Sequence, residues 1–397
     1  MDMTLKRTAS LLLALWLGAF SHLLVAADVT VNRTTDGGQQ VVRDDLTLLS
    51  VVGDPATLGR QAGELLAPQT QAMLTALSFH PAMAAMLQPG VADKRVAEIS
   101  QEYRDEITSW AETATCDPKL LLRANVAVDV FCTAVVRLSD PVKNQPLMVA
   151  RNMDFAPAQL FGAKTVLIIR RPTAHHASLS IGWPGYAGVV SGMNDAGVTA
   201  FLLLNHGAKR NEAGDSLGFR LRAILDQAGS LDEAVTVFSS APIASSNYVL
   251  LADATSAAVV WWNGGMMQRV DPTDKWLFYT NTQINADSHL PENARGQHAY
   301  ELTRLRRNPD VEWMKHLLTA TYMPGTIIAM NAQAMVLVPA TRSVHLATYG
   351  LKAAALSPWH TIDGARLMAG DDLMAVPLLT SPAIADPFPH YAAKPRP

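Results

Sequence analysis

Cysteine is scarce in this chain, which has only Cys116 and Cys132 among 397 residues. A small domain held together by disulfides is therefore excluded. The sequence also lacks a Cys-x-x-Cys pair, a His-Glu-x-x-His helix and a Walker loop. The adjacent His175 and His176 would point to opposite faces of a strand and would be poor co-ligands. We therefore predict that the protein holds no metal and no cofactor.

An excess of charge of either sign is also absent. The chain has 32 Lys and Arg against 35 Asp and Glu, which gives a formal net charge of -3. A mildly acidic protein lacks the excess of basic residues that binding of nucleic acid requires, so nucleic acid is excluded as a partner. Roughly half of the residues are hydrophobic, enough for one large core or two ordinary ones. Residues 381–397 are proline-rich and are predicted to run extended over the surface.

Long apolar runs are missing except at the N-terminus. Lys6 and Arg7 precede an uncharged run that ends in small residues before Asp28. This pattern is typical of a secretory signal peptide over residues 1–27. A retained membrane anchor is the alternative, because roughly 20 apolar residues can span a bilayer. Both interpretations place the rest of the protein in the periplasm or outside the cell, with no other membrane contact.

Apolar periodicity divides the remaining chain into helical and β-type regions. Between Thr57 and Asn125, apolar residues recur at intervals of three and four, which predicts helices. After Cys132 the pattern changes to short β-type runs, with a turn at residues 194–197 that predicts a hairpin. Ser230, three residues before Glu233, predicts the start of a helix within this region. The order of elements predicts an α+β fold of two antiparallel sheets layered with helices.

Cys132 lies in "VFCTAVV", and its thiol has three possible roles. It could be buried filler, a nucleophile, or half of a disulfide with Cys116, sixteen positions earlier. Two cysteines in an exported chain often pair. A disulfide between Cys116 and Cys132 would make the protein a non-catalytic binding protein.

Five polar residues follow apolar β-type runs or lie on a predicted helix. Arg151 and Asp154, in "RNMDF", could form a structural ion pair at a strand end. Asn205 and Asn281 each follow an apolar run and could be turn formers. Arg295 lies on a predicted helix with other charges and could be exposed. Taken one at a time, each residue has a structural explanation.

Taken together, these residues resemble one family. The motifs occur in the order "FCT", "RNMDF", "GMNDAGVTAFLLLN", "SSNYVLLADA" and "YTNTQ", followed by a helical Arg. This series resembles the N-terminal-nucleophile (Ntn) hydrolases of the penicillin acyltransferase and choloylglycine hydrolase group, to which acid ceramidase is related. The resemblance extends from about residue 57 to residue 350. It implies a four-layer αββα sandwich preceded by a helical α segment.

The resemblance also implies self-processing. Such enzymes cut their own chain before the nucleophile, so the Phe131–Cys132 bond would break. Residues 28–131 would become a helical α chain, and residues 132–380 a catalytic β chain that stays associated with it. The α-amine released on Cys132 has a pKa of ~7.7 to 8.0, against ~8.5 for a free thiol, and can act as its base.

The remaining roles are also implied by the resemblance. Asp154 would orient the α-amine, and Arg151 would hold the thiolate and the carboxylate in place. Asn205 and Asn281 would donate to the oxyanion, where each donor contributes on the order of 3 kcal/mol. Arg295 would support the site or contact the substrate.

Two features depart from the family pattern, and the substrate stays open. Phe131 is bulkier than the residue often found before the nucleophile, and "TNTQ" lacks a His. We expect hydrolysis of a small-molecule N-acyl amide through a thioester on Cys132, with acyl transfer to an amine as the alternative. Penicillins, bile-acid conjugates, N-acyl amino acids, acylated signals and ceramide-like lipids are all candidates. Trp183, Tyr186 and Phe201 could line an acyl pocket, although such residues are more often core.

Overall fold

The computed structural model describes residues 31–126, 131–205, 214–263, 265–272, 275–281, 293–305, 309–323, 330–385 and 388. The predicted signal peptide or anchor, residues 1–27, lies outside these ranges. Within them, none of the helices has the length and apolar character needed to cross a bilayer.

The described strands form two sheets. In chain order they are β1 (Val31–Thr35), β2 (Gly38–Arg43), β3 (Leu46–Gly53), β4 (Phe131–Arg137), β5 (Met148–Asp154), β6 (Val166–Pro172), β7 (Ser178–Gly182), β8 (Ser191–Asn194), β9 (Thr199–Leu203), β10 (Tyr248–Ala252), β11 (Ala257–Asn263), β12 (Met266–Val270), β13 (Trp276–Tyr279), β14 (Asn331–Val338), β15 (Ser343–Thr348), β16 (Trp359–Asp363) and β17 (Leu378–Ser381). The first sheet has the order β1-β2-β3-β6-β7-β8-β9-β10-β11-β12, and the second has the order β13-β4-β5-β14-β15-β16-β17. Every pairing is antiparallel except that of β3 with β6, which is parallel.

The described helices flank these sheets. They are α1 (Pro55–Phe79), α2 (Pro81–Met86), α3 (Val91–Ala97), α4 (Gln101–Thr113), α5 (Pro118–Asn125), α6 (Ala158–Phe161), α7 (Leu217–Gln227), α8 (Leu231–Ser239), α9 (Ala294–Thr303), α10 (Val311–Thr321) and α11 (Gly364–Ala369).

Alternating side chains on single strands connect the layers. On β3, Leu48 joins the core between the two sheets, whereas Leu49 joins a second core with α1, α4 and α5. On β4, Val136 joins the core between the sheets, whereas Val135 packs with α9 and α10. Successive side chains of a strand point to opposite faces, so each sheet is covered on both sides. The predicted α+β fold, a four-layer sandwich, is confirmed.

Most elements predicted after Cys132 are also present. β8 and β9 pair as the predicted hairpin, and Gly197 adopts the positive φ of 89° that its turn requires. Helix α8 begins after Ser230, whose hydroxyl accepts a hydrogen bond from the Glu233 N–H at 3.3 Å. The Glu233 carboxylate in turn accepts from the Gly229 N–H at 2.7 Å.

The helices predicted between Thr57 and Asn125 are present, as α1 to α5. The part of the α segment before them is not helical, because β1, β2 and β3 precede the first helix and form one edge of the first sheet. The sequence of β3, "LTLLSVVG", has little polar alternation because both of its faces are covered. At the other end, β17 ends at Ser381, one residue beyond the predicted catalytic chain.

A buried ionic cluster joins the N-terminal helices to the first sheet. Glu106 of α4 accepts hydrogen bonds from Arg170 Nε of β6 at 3.2 Å and from Arg222 Nη2 of α7 at 3.1 Å. Arg222 Nε also donates to Asp226 at 3.0 Å, and the Tyr103 hydroxyl donates to Asp226 at 2.8 Å. The two carboxylates balance the two guanidinium groups, and all four charged side chains are at most 2% exposed. We refer to these five residues as the Glu106 cluster.

Candidate active site

The predicted cut lies inside a strand. Phe131 and Cys132 are the first two residues of β4, and in the antiparallel register they face Asp154 and Met153 of β5. Strand pairing thus fixes the backbone of Cys132 next to the end of β5. The Cys132 side chain lies outside the described part of the structure.

Asp154 ends β5 and is fully buried. Its Oδ2 accepts from Arg295 Nη1 at 2.7 Å, and its Oδ1 accepts from Asn331 Nδ2 at 2.9 Å and from the Met323 N–H at 3.2 Å. Burial raises the pKa of the Asp154 carboxyl above its ordinary value, while Arg295 and the two N–H donors oppose this rise. The carboxylate is therefore held in one orientation by several fixed donors.

Arg295 connects Asp154 to a second predicted site residue. Helix α9 begins after Asn293, whose side chain accepts from the Gly296 N–H at 2.8 Å, so Arg295 lies in its first turn. Its Nη2 donates to Asn281 Oδ1 at 2.9 Å while its Nη1 binds Asp154. The Arg295 guanidinium group thus fixes the position of Asp154, the carboxylate proposed to orient the amine, relative to Asn281, a candidate oxyanion donor. Arg295 is buried, so the alternative that it lies on an exposed helix face is wrong.

The two predicted oxyanion residues lie side by side. Asn281 Nδ2 donates to the Leu204 carbonyl at 2.7 Å, and Leu204 immediately precedes Asn205. The Asn205 N–H donates to Asn247 Oδ1 at 2.8 Å, and its Nδ2 donates to the Ser246 carbonyl at 3.0 Å. Both asparagines are buried, at 3% and 8% exposure. The Asn281 amide belongs to one hydrogen-bonded group with Arg295 and Asp154, whereas Asn205 is held next to it by Asn247 and Ser246.

Arg151 approaches the group from the opposite face of β5. It donates to the Val190 carbonyl, to Ser191 Oγ and, at 2.6 Å, to the Leu202 carbonyl. These partners belong to the first sheet, so Arg151 ties the two sheets together beside the site. The alternative of a structural ion pair between Arg151 and Asp154 is wrong, because the charged partner of Asp154 is Arg295.

This arrangement can be compared with known proteins. Residues 142–301 match the family model of acyl-coenzyme A:6-aminopenicillanic acid acyl-transferase. The predicted resemblance to this family is thereby confirmed for these residues, and so is the predicted class of enzyme acting on amide C–N bonds. The match includes Arg151, Asp154, Asn205, Asn281 and Arg295 but begins ten positions after Cys132.

Several solved structures resemble this protein. Penicillin V acylase from Agrobacterium tumefaciens is 19% identical over 58% of this chain and 86% of that one, with a TM-score of 0.42. A Caenorhabditis elegans ortholog of N-acylethanolamine-hydrolyzing acid amidase is 20% identical over 52% and 93%, with a TM-score of 0.42. A mutant conjugated bile acid hydrolase from Clostridium perfringens is 14% identical over 63% and 96%, with a TM-score of 0.44. No curated protein sequence matches the chain.

Asn331 is a further residue of the site, and no sequence motif indicated it. This fully buried residue begins β14, where the register with β5 shifts. Its Nδ2 donates to Asp154, while its Oδ1 accepts from the Ala355 N–H at 2.8 Å. Asn331 therefore positions Asp154. The signal available in the sequence was an Asn next to an apolar run, the same pattern that singled out Asn205 and Asn281.

The second cysteine, Cys116, is not a disulfide partner in this structure. Cys116 is a free, half-buried thiol whose Sγ lies 3.6 Å from the Ala114 carbonyl. Partial burial raises the pKa of the Cys116 thiol. The alternative of a non-catalytic protein with a Cys116–Cys132 disulfide is therefore contradicted. The described ranges also contain no group of three or more His, Cys, Asp or Glu that could hold a metal ion.

Replacing Asn331 tests its role as a positioning residue. Asn331→Ala removes a hydrogen bond to a charged group, so we expect kcat to fall by about tenfold to a hundredfold. Because this bond lowers the Asp154 pKa, its loss raises that pKa, and the acidic limb of the kcat profile moves to higher pH. Asn331→Asp retains the acceptor for Ala355, and its added negative charge should move the limb further. Kinetics across a pH series measure both effects.

Asn194 provides the matched control for this experiment. It is also fully buried, and its Nδ2 donates to the Leu225 and Ala228 carbonyls, away from Asp154. Asn194→Ala should reduce the free energy of unfolding without moving the acidic limb. If Asn331→Ala also leaves the limb in place, Asn331 has only a structural role.

Proposed function

We propose that the chain is an exported, self-processing N-terminal cysteine amidohydrolase that cleaves the non-peptide C–N bond of an N-acyl amide. Cys132 is its nucleophile. The α chain begins near Asp28 and ends at Phe131, and the β chain begins at Cys132.

The observation that carries this proposal is the double contact of Arg295. Its guanidinium donates to Asp154 at 2.7 Å and to Asn281 at 2.9 Å, both within hydrogen-bond distance. An ion pair with only a structural role needs no second, neutral hydrogen-bond partner. It also has no need to lie next to the end of a strand whose neighbouring strand carries a cysteine. A hydrolase does require a fixed carboxylate and fixed amide donors around its nucleophile.

The reaction follows from the roles of these groups. The α-amine of Cys132, oriented by Asp154, takes the thiol proton, and the thiolate attacks the amide carbonyl. The negative charge that develops on the carbonyl oxygen is stabilised by the amides of Asn281 and Asn205. The α-ammonium then gives its proton to the leaving amine, which leaves a thioester on Cys132. Water, deprotonated by the same α-amine, attacks the thioester, and release of the carboxylic acid restores the thiol.

The Glu106 cluster supports association of the two chains after cleavage. Glu106 belongs to the proposed α chain, whereas Arg170 and Arg222 belong to the proposed β chain. If the chains separated, Glu106 would lose its partners Arg170 and Arg222, and the charges that neutralise one another in the intact interface would be unpaired. Strand β3 adds backbone hydrogen bonds to β6 across the same boundary.

Acyl transfer is the second candidate, because the matching family model is named for an acyltransferase. In that reaction an amine rather than water attacks the thioester. Incubation of the enzyme with an N-acyl amide in the presence of added amines distinguishes the two. A hydrolase should release only free acid at every amine concentration, whereas a transferase should divert acyl groups into a new amide.

Self-processing can be tested on the protein itself. We expect intact mass and N-terminal sequencing of periplasmically expressed protein to show two chains, one of which begins Cys-Thr-Ala-Val. The α chain should begin near Asp28 if the signal peptide has been removed. A single chain that runs through Cys132 would refute self-processing, and a single chain that retains residues 1–27 would also favour the membrane anchor.

A further inference from the structure

The two candidate oxyanion residues come from different sheets. Asn205 lies just after β9 of the first sheet, and Asn281 lies just after β13 of the second. Asn281 Nδ2 donates to the Leu204 carbonyl at 2.7 Å, which holds the two strand ends together. The rings of Tyr248 on β10 and Tyr279 on β13 also pack edge to face, with centroids 4.5 Å apart. The distance between the sheets is thus fixed here, and the direction of the Asn205 amide depends on contacts within the first sheet.

The regular pairing of β9 with β10 stops just before Asn205. Leu203, the last residue of β9, pairs with Tyr248, the first residue of β10. Continuation of the same antiparallel register would place Asn205 opposite Ser246. In a regular ladder the Asn205 N–H would then donate to the Ser246 carbonyl.

At this position the backbone and side-chain donors of Asn205 are exchanged. The Asn205 N–H donates to the side-chain Oδ1 of Asn247 at 2.8 Å, and the Ser246 carbonyl accepts from Asn205 Nδ2 at 3.0 Å. The side chain of Asn205 therefore occupies the acceptor that its own N–H would bind in a regular ladder. A primary amide has two N–H donors in one plane, so the bond to Ser246 fixes the direction of the other donor.

Asn247 makes this exchange possible. It is 1% exposed and immediately precedes β10. Its Nδ2 donates to Ser245 Oγ at 3.1 Å, which directs its Oδ1 toward the Asn205 N–H. A buried backbone N–H needs an acceptor, so without Asn247 the Asn205 N–H would compete with the Asn205 side chain for the Ser246 carbonyl. The Asn205 amide would then lose its fixed orientation.

We propose that Asn247 is a positioning residue of the candidate active site and holds the Asn205 amide in the orientation that the oxyanion requires. This inference rests on the proposed function. The effect of Asn247 on the reaction passes through Asn205. Because a preorganised donor acts on charge that develops in the transition state, the loss of Asn247 should lower kcat rather than raise KM.

A double-mutant cycle between Asn247 and Asn205 tests the assignment, with N-hexanoyl p-nitroanilide and p-nitrophenyl hexanoate as probes. Asn205→Ala should lower kcat by about a hundredfold to a thousandfold, the usual loss for one oxyanion donor. Asn247→Ala should lower kcat by about tenfold and leave KM almost unchanged. The double variant should be no slower than Asn205→Ala, because no amide is left to misalign. Independent roles would instead multiply the two losses, which would overturn the proposal.

Two further variants control for effects on folding. Ser245→Ala keeps Asn247 but removes the acceptor of its Nδ2, so kcat should fall by about threefold in the wild type and not at all in Asn205→Ala. Asn194 is a matched buried asparagine whose Nδ2 donates to carbonyls at the end of α7. Asn194→Ala should leave kcat within about twofold in both backgrounds.

Hydrogen exchange separates this inference from the proposed function. In protein labelled with 15N-asparagine, NMR should show that Asn247→Ala speeds exchange of the Asn205 N–H by about tenfold or more, whereas Asn194→Ala does not. If the wild type hydrolyses neither probe but exchange follows this pattern, the amidase proposal fails and the positioning role stands. If the probes are hydrolysed and Asn247→Ala leaves either kcat or the exchange rate unchanged, the positioning role fails and the amidase stands. If there is neither hydrolysis nor a change in exchange, both fail.

Discussion

Cys132→Ala is expected to abolish amidase activity and to leave the chain uncut. Removal of the nucleophile of a hydrolase lowers kcat by on the order of 10⁶. The same thiol is needed for both reactions, because self-processing is an attack on the Phe131–Cys132 bond and turnover is an attack on the substrate amide. Intact mass and turnover of one preparation measure the two together. Cys132→Ser keeps a hydroxyl nucleophile and should impair or abolish amidase activity.

The second cysteine supplies the control. Cys116→Ala removes a free, half-buried thiol and should keep both processing and activity. Circular dichroism should show that all three variants are folded, because β4 is held by pairing with β5 and β13. A Cys132→Ala protein that is cut or that retains full activity would disprove the mechanism.

Glu106→Gln is expected to cost about 3 to 5 kcal/mol in the free energy of unfolding. The substitution preserves shape but leaves Arg170 and Arg222 with a single carboxylate, Asp226, in a buried site. An uncompensated buried charge is the largest electrostatic penalty available in this fold. In processed protein the same variant should release the α chain. Urea unfolding and gel filtration measure the two effects.

The pH dependence of this effect has a defined sign. The two guanidinium groups hold the pKa of the Glu106 carboxyl below its ordinary value, although burial alone would raise it. The native state therefore favours the ionised form, and Glu106 stabilises the fold above the unfolded-state pKa of about 4.3. This stabilisation is lost as pH falls through the lower pKa of the folded state. The difference between wild type and Glu106→Gln should shrink on acidification in that range.

Glu102, one turn earlier on α4, is the matched control. It is partly exposed, and its Oε2 lies 3.2 Å from His175 Nε2. Exposed pairs of this kind contribute at most about 1 kcal/mol, so Glu102→Gln should change the free energy of unfolding only slightly. Equal effects at positions 102 and 106 would show that the cluster does not hold the α chain.

The fold was predictable where local turn and capping residues mark an element. The turn at residues 194–197 predicted the hairpin of β8 and β9, and Ser230 with Glu233 predicted the start of α8. Strands β1 to β3 were not predicted, because "LTLLSVVG" is apolar on both faces and lacks the alternation of a half-buried strand. Its partner, β6, lies more than a hundred residues away, and sequence periodicity carries no information about such pairing.

The candidate site was predictable in composition but not in contacts. Motif order selected Arg151, Asp154, Asn205, Asn281 and Arg295, and hydrogen bonds in the structure join three of them, Asp154, Arg295 and Asn281. The pairing of Asp154 with Arg295 rather than with Arg151 depends on which face of β5 each side chain occupies. Asn331 was missed because its contact depends on a register shift between β14 and β5.

The parallel pairing of β3 with β6 has a consequence for refolding. The two strands lie on opposite sides of the predicted cut, so an uncut chain brings them together within one molecule. Once the chain is cut and denatured, the same pairing requires two separate molecules to meet. Recovery of the processed enzyme from urea should then depend on protein concentration, whereas recovery of uncut Cys132→Ala should not. A cut that follows assembly of the sheet would avoid this dependence on concentration.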